Sequence, residues 1–81
     1  MPLKMTKGQQ DFIDQKTRKQ IVNWCDIAVK QDHDGVCIPE DQAVYRDYAV
    51  TKKWLGAKDG KTGESRILSN GWATAARFLK R

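Results

Sequence analysis

Over residues 9–31 the apolar positions fall at three- and four-residue steps: Phe12 and Ile13, Thr17, Ile21, Trp24 and Cys25, then Ala28 and Val29. That is the period of a helix with one buried face. Asp11 and Asp14 near the beginning and Lys30 near the end suit the helix dipole. The spacing predicts a long first helix over 9–31, after a flexible leader over residues 1–8 that ends at Gly8. Gln31-Asp32-His33-Asp34-Gly35 breaks the pattern, with Gly35 the expected left-handed residue at the helix end. Val36-Cys37-Ile38 reads as a short extended link tucked into the core. Pro39-Glu40-Asp41 then opens a second helix, with proline in the first turn and acids at the positive end of the dipole. Ala43, Val44, Tyr48, Thr51 and Leu55 recur at helical spacing, so this helix is expected to end near Leu55 or Gly56.

A second parsing breaks that segment at Asp47-Tyr48-Ala49-Val50, with Thr51 capping a short helix that carries Lys52, Lys53 and Trp54. In outline it resembles a helix-turn-helix, without the glycine that usually eases the turn. Downstream, Gly56, Gly60 and Gly63 and the Asp59-Gly60 pair mark a loop or the tip of a hairpin. Such a hairpin would join Trp54-Leu55 to Arg66-Ile67-Leu68. Ser69 or Asn70 caps a last helix over 71–80, whose Trp72, Ala75, Ala76 and Leu79 form one face. Its Arg77, Lys80 and Arg81 sit where the dipole favours cations.

The expected fold is therefore mainly α: a single small three-helix domain over 9–81, and a winged-helix variant if the basic hairpin forms. The expected core is Phe12, Ile21, Trp24, Ala28, Val44, Tyr48, Leu55, Trp72, Ala75 and Leu79. Trp24, Trp54 and Trp72 fall one per predicted helix, and packing is the first reason to place large rings in so small a core.

Composition changes this picture mainly through charge. The 81 residues carry a net charge of +5, and the bases are not evenly spread. Through Asp41 there are six bases against seven acids; from Gln42 onward, nine against three. A basic half beside a neutral one suggests a polyanionic partner. The densest stretch runs Lys52-Lys53-Trp54-Leu55-Gly56-Ala57-Lys58-Asp59-Gly60-Lys61, a helix end leading into a cationic loop. Lys52, Lys53, Lys58, Lys61 and Arg66 are the expected phosphate contacts, with Arg46 and Lys80 in second line. The leading expectation is a nucleic-acid-binding domain, for DNA in preference to RNA and for duplex DNA above all. The alternative is a small helical interaction module, an adaptor or inhibitor, docking its basic face on an acidic protein. An exposed apolar patch around Tyr45, Val50 and Phe78 would mark that alternative.

Other chemistry is thinly represented. Cys25, His33 and Cys37 lack the paired spacing of structural zinc sites, and Cys25 lies on the apolar face of the first helix. Residues 30–41 look like a calcium-binding EF-hand loop at Asp32, Asp34 and Gly35. Lys30 stands where the first acidic ligand belongs and Asp41 where a bidentate glutamate belongs, so the segment reads as a polar turn between helices. The one histidine, His33, and the two serines, Ser65 and Ser69, form no nucleophile–base arrangement, and Gly60-Lys61-Thr62 lacks the upstream glycine of a phosphate-binding loop. No enzyme, metal or cofactor is expected. No apolar run reaches bilayer length, and the first five residues lack a hydrophobic signal core. The expected location is intracellular, cytoplasmic or with the nucleoid or nucleus, with no membrane partner and with reduced thiols rather than a Cys25–Cys37 disulfide.

Overall fold

The computed structural model describes residues 6–79. Its elements are helix α1 (Lys7–Gln31), strand β1 (Gly35–Cys37), a 3-10 turn (Glu40–Gln42), helix α2 (Ala43–Thr51), strand β2 (Glu64–Arg66) and helix α3 (Ser69–Leu79). This is a small, mainly helical domain of three helices and a two-stranded antiparallel sheet. α1 packs against both α2 and α3.

α1 starts earlier than its apolar period suggests, because Thr6 caps it. The Thr6 hydroxyl accepts from the Gln9 backbone at 3.1 Å, and the Gln9 side chain accepts from the Thr6 backbone at 2.9 Å. This reciprocal capping box satisfies two otherwise open donors. Lys7 and Gly8 are therefore helical rather than part of a leader, and residues 1–5 of that expected leader lie outside the described residues.

At the other end of α1 the left-handed residue is Asp32, φ 53°, rather than Gly35. The N–H groups of Asp32 and His33 bond the carbonyls of Val29 and Ala28, closing the last turn in a Schellman arrangement. Gly35 is released to begin β1, held by the Gln31 side-chain amide, which donates to its carbonyl. The segment resembling a calcium loop is thus divided among a helix cap, a strand and the entry to α2.

β1 pairs with β2 in the register Gly35↔Arg66, Val36↔Ser65, Cys37↔Glu64. The other edge of β2 takes up the Leu55 segment through the bridge Leu55↔Ile67, with Gly56 N–H donating to the Arg66 carbonyl at 2.8 Å. The expected hairpin is present as this single bridge, while the longer pairing of β2 is with β1. The order across the ladder is accordingly β1, β2, Leu55.

Ile21, Trp24 and Ala28 of α1, Val36, Ile38, Ala49, Trp54, Leu55, Ile67 and Ala75 form the buried core. Tyr48 and Trp72 contribute from half-buried positions. Three expected core residues are not there: Phe12, Val44 and Leu79 are exposed. Phe12 and Val44 line an open groove between the start of α1 and the start of α2, and Leu79 lies on the rim between α1 and α3. Among the described residues, no further element covers any of the three. Gly71 fixes α3 in position, because a Cβ there would fall 2.2 Å from the Trp54 carbonyl oxygen. No helix among the described residues is long and apolar enough to cross a membrane.

Candidate nucleic-acid interface

α2 ends at Thr51, short of the expected Leu55, and it runs unbroken through residues 47–50, so no helix-turn-helix break occurs there. What ends it is Lys53, which holds a left-handed conformation at φ 66°. Lys53 N–H donates to the Val50 carbonyl at 3.1 Å and Trp54 N–H to the Ala49 carbonyl at 2.9 Å. This is again the Schellman arrangement, with lysine where glycine is usual. The apolar contact that accompanies such ends is supplied by Trp54, whose ring meets Tyr48 edge-on at 6.0 Å between centroids. Trp54 is consequently buried, and it lies beyond the helix rather than on it.

A polar clamp backs this corner. Tyr48 hydroxyl donates to Asp14 Oδ2 at 2.7 Å, Arg18 donates to Asp14 Oδ1, and the Arg18 guanidinium lies 5.2 Å from the centre of the Trp54 ring. Burial works to raise the Asp14 pKa, but hydrogen bonds from Arg18 and Tyr48 and the charges of Arg18 and Lys52 outweigh it, holding the carboxyl below its ordinary value. Burial, then the hydrogen bond to Asp14, pushes the Tyr48 phenol up to about 12. The Lys52 ammonium sits 5.6 Å over the Tyr48 ring, and Lys52 itself is exposed.

Beyond Leu55 the chain forms a closed turn. Asp59 N–H donates to the Glu64 carbonyl and Gly63 N–H to the Asp59 carbonyl, each at 2.8 Å. Asp59 Oδ1 accepts from the backbone of Lys61 at 2.7 Å and of Thr62 at 3.3 Å. Gly63, φ 74°, completes the turn in a region where glycine carries no steric cost. The acids in this stretch are thereby occupied: Asp59 by the turn, and Glu64 by His33 Nε2 at 2.9 Å.

The seven expected contact residues separate into distinct groups. Lys52, Lys53, Lys61 and Arg66 are exposed, all on the run from the end of α2 through the turn to β2. Lys58 is exposed but ion-paired, donating to Glu40 Oε1 at 3.2 Å. Arg46 does not belong with them. Its side chain is only 15% exposed, with Nε bonded to Asp47 at 3.1 Å and Nη1 3.7 Å from Glu40. Arg46 braces the entry to α2 through two carboxylates. Lys80 lies outside the described residues.

The other constellations do not converge. Cys25 is buried and its thiol pushed up to about 11 by that burial, whereas Cys37 is exposed on β1. No group of three potential metal ligands occurs among the described residues. Tyr45, Val50 and Phe78 are half-buried rather than an open patch. Sequence reasoning missed the Glu40 tether, which joins residues 18 apart and leaves no periodic trace. No protein-family model, curated protein or solved structure matches this chain.

Proposed function

We propose that this domain binds nucleic acid, duplex DNA in particular, through the cationic run from Lys52 to Arg66. The observation that carries the reading is Lys53. A lysine in the left-handed region costs roughly 1 kcal/mol that glycine would avoid. At this position it keeps an ammonium at the corner between α2 and the basic turn, beside Lys52. Lys61 and Arg66 extend the charge along the turn and the strand, and the nearby acids Asp59 and Glu64 already have partners.

Two features favour duplex over single strands. Trp24 and Trp54 are buried and Tyr48 lies beneath Lys52, so this surface offers no open aromatic face for stacking unpaired bases. The ladder order β1, β2, Leu55, with an exposed basic turn between Leu55 and β2, supports a winged-helix variant in which that turn is the wing. α2 is a poor reader of bases, being nine residues long with Arg46 engaged internally. Binding is therefore phosphate-driven, salt-sensitive and weakly sequence-dependent. The location consistent with this is the interior of the cell.

The test is a fluorescence anisotropy titration against random duplex, single-stranded DNA and structured RNA, each at low and physiological salt. We expect tightest binding to duplex, with each neutralised lysine among Lys52, Lys53 and Lys61 flattening the salt slope by about one unit. Absence of binding to all three at low salt overturns the reading. An acidic protein would then be the partner for the same face, and an affinity capture compared between the protein and its Lys52→Ala/Lys53→Ala variant would test that.

A further inference from the structure

On the face formed by α1 and α3, an apolar groove of about 610 Å³ runs between the two helices. Val22 and Val29 stand two helical turns apart on α1, and Trp72, Ala76 and Leu79 follow at four- and three-residue steps on α3. Val29 is 67% exposed and Leu79 69%, and Trp72 is only half-buried. Isolated exposed apolar residues are ordinary, but a two-helix stripe of them marks an association surface.

The charges beside the stripe indicate the partner. Lys19 and Asp26, both exposed, line the groove seven residues apart on α1, and the exposed Asp26 carboxylate also meets Lys30 of its own helix at 3.0 Å. Two copies of α1 laid antiparallel, with a two-fold axis between Val22 and Asn23, bring Lys19 of each opposite Asp26 of the other. An isologous two-fold contact requires this kind of self-complementarity.

The apolar ends follow the same symmetry. Trp72 lies by Val29 and the Asp32–Asp34 turn, while Arg77 and Phe78 lie by Asp14 and Arg18, so α3 runs antiparallel to α1. With the axis at that point the Val22 side chains of the two copies meet near the centre, and the Trp72–Val29 end of one copy is set against the Leu79 end of the other. We infer that this face binds a second copy of the chain, forming a two-fold dimer with a four-helix core of paired α1 and α3. This inference is independent of the nucleic-acid reading, whose residues lie on α2, the basic turn and β2.

Sedimentation equilibrium on the full chain from about 5 to 500 μM tests it. We expect a monomer–dimer equilibrium within that range. Lys19→Glu and Asp26→Lys should each weaken dimerisation about tenfold through like-charge contacts. The double variant Lys19→Glu/Asp26→Lys should recover most of it, with circular dichroism confirming an unchanged fold in all three. Val29→Glu should shift the equilibrium to monomer. A monomer at every concentration overturns the inference. So does a dimer that is indifferent to Val29→Glu, or one that the double charge exchange fails to restore.

Discussion

Lys53 carries two properties that are normally separate, a charge and a left-handed backbone. Glycine at that position would relieve the backbone and remove the charge, so one substitution separates the two effects. Lys53→Gly is expected to raise the stability of the domain by up to about 1 kcal/mol, less what the more flexible unfolded chain takes back. The same variant should bind duplex DNA more weakly and with a shallower salt dependence. Urea unfolding and anisotropy on the same preparation read both. A variant that is more stable and binds as tightly as the parent would remove Lys53 from the interface. The residue also shows why the end of α2 was hard to read in the sequence. The apolar period continues through Thr51 to Leu55, and the usual stop signal, a glycine, comes only at Gly56, three residues past the left-handed position. Only the backbone reveals that Trp54 and Leu55 leave the helix and enter the core from an extended segment. Asp32 is the same lesson on α1, since it takes the left-handed position three residues ahead of Gly35.

The elements themselves were largely legible, because the buried face of α1 and the apolar link that became β1 follow their own periods. α3 was found as a helix, but its buried side is Gly71, Thr74 and Ala75 rather than the expected face of Trp72, Ala75, Ala76 and Leu79. The neighbours of each element were not legible. Periodicity identifies a face but not which element covers it, and Phe12, Val44 and Leu79 continue an apolar face beyond the point where a partner among the described residues reaches it. The contact joining α1 to α2 is likewise non-local, since Tyr48 and Asp14 are 34 residues apart. This clamp gives the domain a pH dependence with a defined sign at each end. The native Asp14 carboxyl is held below its ordinary value, so the stability it contributes is complete above about pH 4 and is lost as pH falls through the native pKa. The native Tyr48 phenol is raised to about 12, so its contribution is complete below about pH 10 and is lost as pH rises toward 12. Tyr48→Phe removes the hydroxyl from both balances. Thermal unfolding of that variant should show a loss of about 1 kcal/mol at neutral pH. Its decline in stability between pH 10 and 12 should be smaller than the parent's, and an unchanged alkaline decline would assign that loss to other groups.

For the molecule as a whole, the charge asymmetry visible in the sequence survives folding, but not every base in the basic half is available. Folding brings Glu40, from the more acidic half, against Lys58 and Arg46 of the basic half. Glu40 is 74% exposed, so its pairs contribute little to stability. Their larger effect is on the field that a polyanion meets, since a carboxylate at the edge of the cationic run offsets one of its charges and holds Lys58 at the entry to α2. On the proposed reading, a phosphate would compete with Glu40 for the Lys58 ammonium. Glu40→Gln should therefore leave the melting temperature nearly unchanged while tightening duplex binding several-fold at low salt. It should also steepen the salt dependence by up to about one unit as Lys58 gains a phosphate contact. Lys58→Ala should abolish most of that gain when added to Glu40→Gln, and have little effect alone, because in the parent the ammonium is already engaged. If Glu40→Gln tightens binding equally with and without Lys58, the effect belongs to the general field of the domain rather than to the tether. If it does not tighten binding at all, Lys58 takes no part in the proposed interface, which is then confined to Lys52, Lys53, Lys61 and Arg66.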